Sequence, residues 1–210
     1  MTEFLLKILL LAPPILLALT LHEVAHGYIA YRLGDPTAKL TGRLTLNPLK
    51  HLDPFGTIAF FLINIGWAKP VPVNGAYFSN PKKDMLWVAL AGPVTNLILA
   101  VASALMAKTL YQMAPVIPYS SVTGVAFVVM LEMLKASIWI NLVLCIFNFL
   151  PIPPLDGSRI LMGLLPDDIA RAYSSMEKYG FILILILAVT GILGKMILPL
   201  IHFARNFLLL

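Results

Sequence analysis

The stretch from Phe4 to Tyr31 reads FLLKILLLAPPILLALTLHEVAHGYIAY. From Phe4 to Leu21 it is apolar, with Lys7 its only charge. A helix needs about 20 apolar residues to cross a bilayer, so the stretch predicts a membrane span over 4–31. Pro13 and Pro14 predict a kink, which membrane helices tolerate where neighbours satisfy the freed backbone groups. Gly34-Asp35-Pro36 ends the helix. There is no basic leader and no small-residue cleavage site, so the segment reads as a retained span and not a signal peptide. Its second half decides the fold and the chemistry together. His22-Glu23-Val24-Ala25-His26 sets three ionisable side chains in a membrane helix. Such groups are costly in lipid and demand partners.

The rest of the chain agrees with a membrane setting. Of 210 residues, 60% are hydrophobic and 12% charged, and the mean hydropathy is +0.90. Soluble domains lie nearer half apolar and about a quarter charged. A water-soluble globule, a disordered chain and a collagen-like chain are thereby excluded. The expected fold is all-α and polytopic: one membrane domain over 1–210, with about four transmembrane helices and a small β or re-entrant insertion on the cytoplasmic side. Further spans are predicted near 85–110, 122–150 and 178–194. The tail from Lys195 to Leu210 continues the last helix or lies at the interface.

Residues 37–78 are apolar but irregular. Phe55 to Ile65 is too short to span and reads as re-entrant or interfacial. Lys39 to Leu46 alternates in part. Lys69-Pro-Val-Pro-Val-Asn74 carries two prolines, which confine a strand to an edge or a bulge. The formal net charge is +5. Arg32, Lys39, Arg43, Lys50, Lys69, Lys82 and Lys83 fall between the first two spans, and Arg159, Arg171 and Lys178 follow the third. The loop from Tyr111 to Ser121 has none. Positive residues mark the cytoplasmic side. Both proline-rich loops, and the site with them, are therefore expected to face the cytoplasm in a multi-pass protein of the cell membrane, with both termini outside if there are four spans. The partner read from this distribution is the lipid bilayer; no basic patch suited to nucleic acid forms. Glu132 and Lys135, three apart in the third span, are expected to pair. A lone Cys145 in an apolar run allows no internal disulfide and reads as a small buried hydrophobe.

On a helix, His22 and His26 share a face, so both imidazoles can reach one metal ion. Zinc takes histidine nitrogen at about 2.0–2.1 Å and keeps an open position when catalytic. Glu23 stands where it can take a proton from activated water. A third ligand is needed, and His51, His202 and Asp156 are the candidates. Asp156 follows three prolines in Pro151-Ile-Pro-Pro-Leu-Asp156-Gly157, a rigid loop that suits a ligand. The same residue also suits the N-cap of a short helix from Gly157 to Leu164. Spacing leaves the two roles open.

The His-Glu-x-x-His helix, followed far downstream by Asn148-Phe-Leu-Pro-Ile-Pro-Pro-Leu-Asp156-Gly157, resembles the site-2 proteases, the zinc intramembrane metalloproteases. Gly66-Trp-Ala-Lys-Pro-Val-Pro-Val-Asn74 and Ala91-Gly-Pro-Val-Thr-Asn96 extend the resemblance, which covers Leu21 to Ile160. It implies one zinc ion per chain held by His22, His26 and Asp156, with Glu23 as catalytic base. It implies hydrolysis of peptide bonds in or near transmembrane segments of membrane-anchored proteins or peptides. No stretch is long enough for the PDZ or CBS modules of many members, so the sequence reads as a catalytic core. Asn148 is a candidate oxyanion donor, though an amide there also suits hydrogen bonding between helices. His51, near Asp53-Pro54, is a second such candidate, or else an interfacial loop residue. His202 reads as interfacial. Gly92 and Asn96, four apart, read as serving close helix packing. Lys69–Asn74 reads either as an edge that pairs with unwound substrate or as a plain turn.

Two rival classes are distinguishable. A catalytically inactive metal-binding scaffold would have no need of Glu23. A transporter would show related broken halves, and no second copy of the histidine motif occurs. Oligomeric state is not legible in the sequence.

Overall fold

A computed structural model describes residues 2–63, 66–117 and 121–209. Among these the helices in order are α1 (Thr2–Arg32), α2 (Thr37–Leu40), α3 (Pro54–Ile63), α4 (Pro81–Met113), α5 (Val122–Asn148), α6 (Asp156–Leu164), α7 (Asp167–Ser174), α8 (Glu177–Val189) and α9 (Ile192–Leu209). Among the described residues α1, α4, α5 and α9 are long and apolar enough to cross a membrane. The protein is all-α and multi-pass, as the hydropathy predicts.

Local chemistry sets the helix ends. Asn80 caps α4 by accepting from the Lys83 N–H at 3.2 Å, and Asp84 reaches back to the Asn80 N–H at 2.9 Å. This reciprocal pair, with Pro81 opening the first turn, fixes the start of a 33-residue helix. Ser121 caps α5 through the Gly124 N–H. The prolines from Pro151 onward stop α5 because they cannot continue its hydrogen bonds.

α1, α4 and α5 pack together, with α9 against α5. Ala100, Ala104 and Ala107 line one face of α4 and are buried against Leu131, Ile138, Leu142 and Ile201. Small side chains let helix backbones approach closely where lipid offers no hydrophobic drive. Large side chains point outward instead, among them Ile98, Leu105, Val125, Phe181 and Phe203. The expected pair in α5 is present, with Lys135 Nζ 2.7 Å from Glu132.

Two expectations need correction. The predicted span over 178–194 divides: α8 stops at Val189, and Gly191 adopts φ +72°. A glycine in this left-handed conformation terminates a helix by allowing its last carbonyls to be satisfied. The tail beyond it forms α9, itself long enough to cross. α7 and α8 together meet the same test but are bent by 62°.

The expected β insertion also differs. Among the described residues there is no strand, only one antiparallel bridge between Leu52 and Ala68. Lys39–Leu46 begins as the end of α2 and then turns. Pro70 and Pro72 lack the N–H groups that would extend a ladder past the bridge. The predicted re-entrant segment Phe55–Ile65 is represented by the ten-residue α3; its last two residues lie outside the described ones. Residues 118–120 of the loop Tyr111–Ser121 do so as well.

Side chains, not a sheet, hold this region. Fully buried Asp35 accepts the Asn74 N–H at 2.7 Å and the Thr37 N–H at 2.9 Å. Arg43, also buried, donates to the carbonyls of Lys69 (2.6 Å) and Pro70 (3.2 Å).

Candidate metal centre

α1 places His22 and His26 one turn apart, facing α4. Their Nε2 atoms are 3.0 Å from each other. Asp156, the first residue of α6, brings Oδ2 to 3.2 Å from the Nε2 of His22 and 3.3 Å from that of His26. Both histidines are buried. The start of α6 abuts the end of α5 so tightly that a Cβ on Gly157 would lie 2.3 Å from the Phe149 carbonyl oxygen. Glycine there lets the carboxylate reach the histidines. The alternative role for Asp156 falls away: the N-cap of α6 is Leu155, and the helix start has no side-chain cap.

The donor set fits a metal ion. His26 Nδ1 is 2.7 Å from the Val88 carbonyl oxygen. A carbonyl only accepts, so Nδ1 carries the proton and Nε2 presents a bare lone pair. Asp156 Oδ2 is buried and has no hydrogen-bond partner. A lone pair and a carboxylate oxygen 3.3 Å apart have nothing to share but a cation. Two ligands of a tetrahedral zinc stand roughly 3.3 Å apart at its usual bond lengths. Gly92 on α4 completes the cradle. A Cβ there would lie 2.4 Å from His26 Nε2 and 2.7 Å from His22 Nε2.

Glu23 lies beside this cluster and is partly exposed. Its Oε2 accepts the Val71 N–H at 2.8 Å. The Pro70–Val71 peptide is thus held at both ends, its carbonyl by Arg43 and its N–H by Glu23.

The other sequence candidates lie differently. Asn148 donates to the Leu144 carbonyl at 3.0 Å, a bond within its own helix. His51 is buried, and its Nε2 donates to the Thr45 carbonyl at 2.8 Å. Its own carbonyl accepts the Lys69 N–H at 2.8 Å, so it braces the loop carrying Val71. The metal-competent cluster found among the described residues is His22, His26 and Asp156, without His51. His202 is exposed and packs against Trp139.

Sequence reasoning assigned Gly92 and Asn96 to packing, yet both touch the ligands. Asn96 Oδ1 is 2.6 Å from His22 Nδ1. The signal was available: a fully polar amide four residues from a glycine, inside an apolar span. Arg43 and Val71 were missed for another reason. Their contacts cross 26 to 48 residues of irregular chain, where no periodicity applies.

The profile of Peptidase family M50 matches residues 10–190. The chain belongs to this family. A Bacillus subtilis (strain 168) protein is 43% identical over 93% of this chain and 87% of its own length. A Mycolicibacterium smegmatis protein is 28% identical over 91% of this chain and 71% of its own. They bear the name "Putative zinc metalloprotease", as YwhC and Rip2 respectively. Rip2 of Mycobacterium tuberculosis is 29% identical over 82% of this chain and 63% of its own length. No solved structure matches. M50 membership and these relatives support a zinc metalloprotease built on membrane helices.

Proposed function

We propose that this M50 peptidase is an intramembrane endopeptidase, cutting transmembrane segments of membrane-anchored proteins at a single zinc site near the cytoplasmic face. One observation carries the reading. Two imidazole nitrogens and an otherwise unpartnered carboxylate oxygen converge within 3.0–3.3 Å, beside a glutamate, at the end of a membrane span.

His22, His26 and Asp156 would hold the zinc, which supplies Lewis-acid polarisation of the scissile carbonyl and a more acidic water. Glu23 takes the proton of the attacking water on its carboxylate and passes it to the nitrogen of the leaving amine. Oε2 accepts from Val71, which leaves Oε1 for that task. Val71 thereby restrains the carboxylate, which lowers the cost of orienting it. Asp156 supplies the negative charge and the two neutral imidazoles the lone pairs that would retain a dication.

The substrate must be unwound, because a helical peptide bond is shielded from water. The non-helical backbone from Lys69 to Asn74 passes Glu23 and offers a place where an extended peptide can pair. The loops on this side carry the basic residues, which supports a cytoplasmic orientation. Asn148 is proposed as an oxyanion donor, after turning away from its bond to Leu144.

The test is cleavage of single-span peptides co-reconstituted with the protein in lipid vesicles. Wild type is expected to release fragments cut within the span, and Glu23→Gln to release none while keeping zinc. No fragments from wild type that holds zinc would favour a metal-binding scaffold, and equal cleavage by Glu23→Gln would remove Glu23 as the base.

A further inference from the structure

Each histidine must offer Nε2 to the metal, so each must carry its proton on Nδ1. For His26 the Val88 carbonyl settles this directly. His22 has no such guarantee. Its Nδ1 faces an amide, Asn96, and an amide has a donor end and an acceptor end. Turned round, Asn96 would donate to Nδ1, the proton would move to Nε2, and His22 would be lost as a ligand.

What fixes the amide lies one residue further in. Asn96 Nδ2 is 2.9 Å from Asn141 Oδ1 on α5, and 3.4 Å from the Ala18 carbonyl. Asn141 Nδ2 is in turn 2.9 Å from the Ser137 carbonyl oxygen. That carbonyl can only accept, so Asn141 must point its NH2 there and its oxygen at Asn96. Asn96 must then give its NH2 to Asn141 and its oxygen to His22. The bond to Ala18 is too long to impose the sense alone. Ser137 Oγ, 3.2 Å from Asn141 Nδ2 and 2.8 Å from Ser103 Oγ, adds a second acceptor without altering the direction. Asn96 and Asn141 are fully buried, and Ser137 and Ser103 nearly so. A reversed amide would set oxygen against oxygen in this buried interior.

We propose that Asn141 is a positioning residue for the metal centre: anchored on the Ser137 carbonyl, it locks the Asn96 amide and so holds His22 in the tautomer that binds metal. It touches neither metal nor substrate. The inference rests on the zinc reading above and adds to it a control point on a different helix.

The test uses the full chain in lipid nanodiscs, with zinc affinity measured against a competing chelator. Asn141→Leu keeps the volume and removes the polarity; outer partners of histidine ligands are typically worth about 10–100-fold in metal affinity. Asn141→Leu is expected to weaken zinc binding by about 10-fold or more. Asn141→Asp, neutral in this interior, presents the same acceptor and donor and should restore wild-type affinity. In an Asn96→Leu background, Asn141→Leu should add no further loss, because it acts through Asn96. Nitrogen-15 histidine spectra of the metal-free protein read the tautomer itself: Nδ1–H at His22 in wild type, a mixture in Asn141→Leu. Wild-type zinc affinity in Asn141→Leu would overturn the proposal, as would losses that multiply in the double variant. If Asn141→Leu does not fold, the wild-type spectrum still decides: His22 protonated on Nε2 contradicts it. A wild type that binds no zinc defeats the protease reading, while the metal-free spectrum continues to judge Asn141.

Discussion

The two halves of the site are built by different means. The metal-binding half stands on helices: His22 and His26 on α1, Asp156 opening α6, with Asn96 and Val88 of α4 behind the histidines. The base-holding half is loop: Arg43 and His51 pin a non-helical segment whose Val71 N–H meets Glu23. The helical half is rigid because each histidine is fixed by backbone spacing and by a buried partner, and Asp156 by the close approach of α6 to the end of α5 at Gly157. The loop half depends on a buried guanidinium bonded to two carbonyls. The helices should therefore govern whether metal binds, and the loop whether bound metal is used.

Metal removal gives the largest effect. A strong chelator should abolish cleavage, and stoichiometric zinc should restore it, measured on vesicle-embedded substrate. Next is Glu23→Gln, which should lower kcat by about 10²–10⁴-fold, the usual worth of a general base, with zinc content unchanged. A variant that loses zinc as well would break the division between the halves. Arg43→Met frees the Pro70–Val71 peptide and should cost on the order of 100-fold in kcat through misplacement of Glu23. Zinc affinity should stay at the wild-type value; if it falls, the loop also supports the ligands.

The smallest effect concerns the anchor of the loop. Burial favours the neutral acid at Asp35, but the Thr37 hydroxyl and the N–H groups of Asn74 and Thr37 hold its carboxyl below the ordinary value. A carboxyl depressed in the folded state stabilises it fully above the unfolded pKa of about 3.9, and this is lost as pH falls toward the folded value. Thermal unfolding should therefore shift to lower temperature in acid. Asp35→Asn should be less stable at neutral pH by about 1 kcal/mol and show a shallower acid dependence. An acid dependence identical to wild type would place the loop's anchor elsewhere.

The helical half was largely legible in the sequence, because periodicity carries it. A four-residue spacing puts His22 and His26 together, and an apolar run of bilayer length makes their cost conspicuous. Asp156 as a ligand was open on spacing and needed the fold to separate it from an N-cap. Gly92 and Asn96 were seen but assigned to packing, since nothing in α4 alone says which helix face meets α1. The hydropathy of 178–194 is continuous, so the break of its helix at Gly191 was not visible in the pattern. The loop half was not legible. Its bonds join Glu23 to Val71 and Arg43 to Pro70 across irregular chain, and two prolines replaced the expected strand with a segment held by side chains.

Zinc per chain in the purified full-length protein tests the central claim most directly, measured by elemental analysis on wild type, His22→Ala and Asp156→Ala. One zinc in wild type and near none in either variant is the predicted result. Zinc retained in Asp156→Ala, or absent from wild type after zinc is supplied, would contradict the three-ligand site on which the account rests.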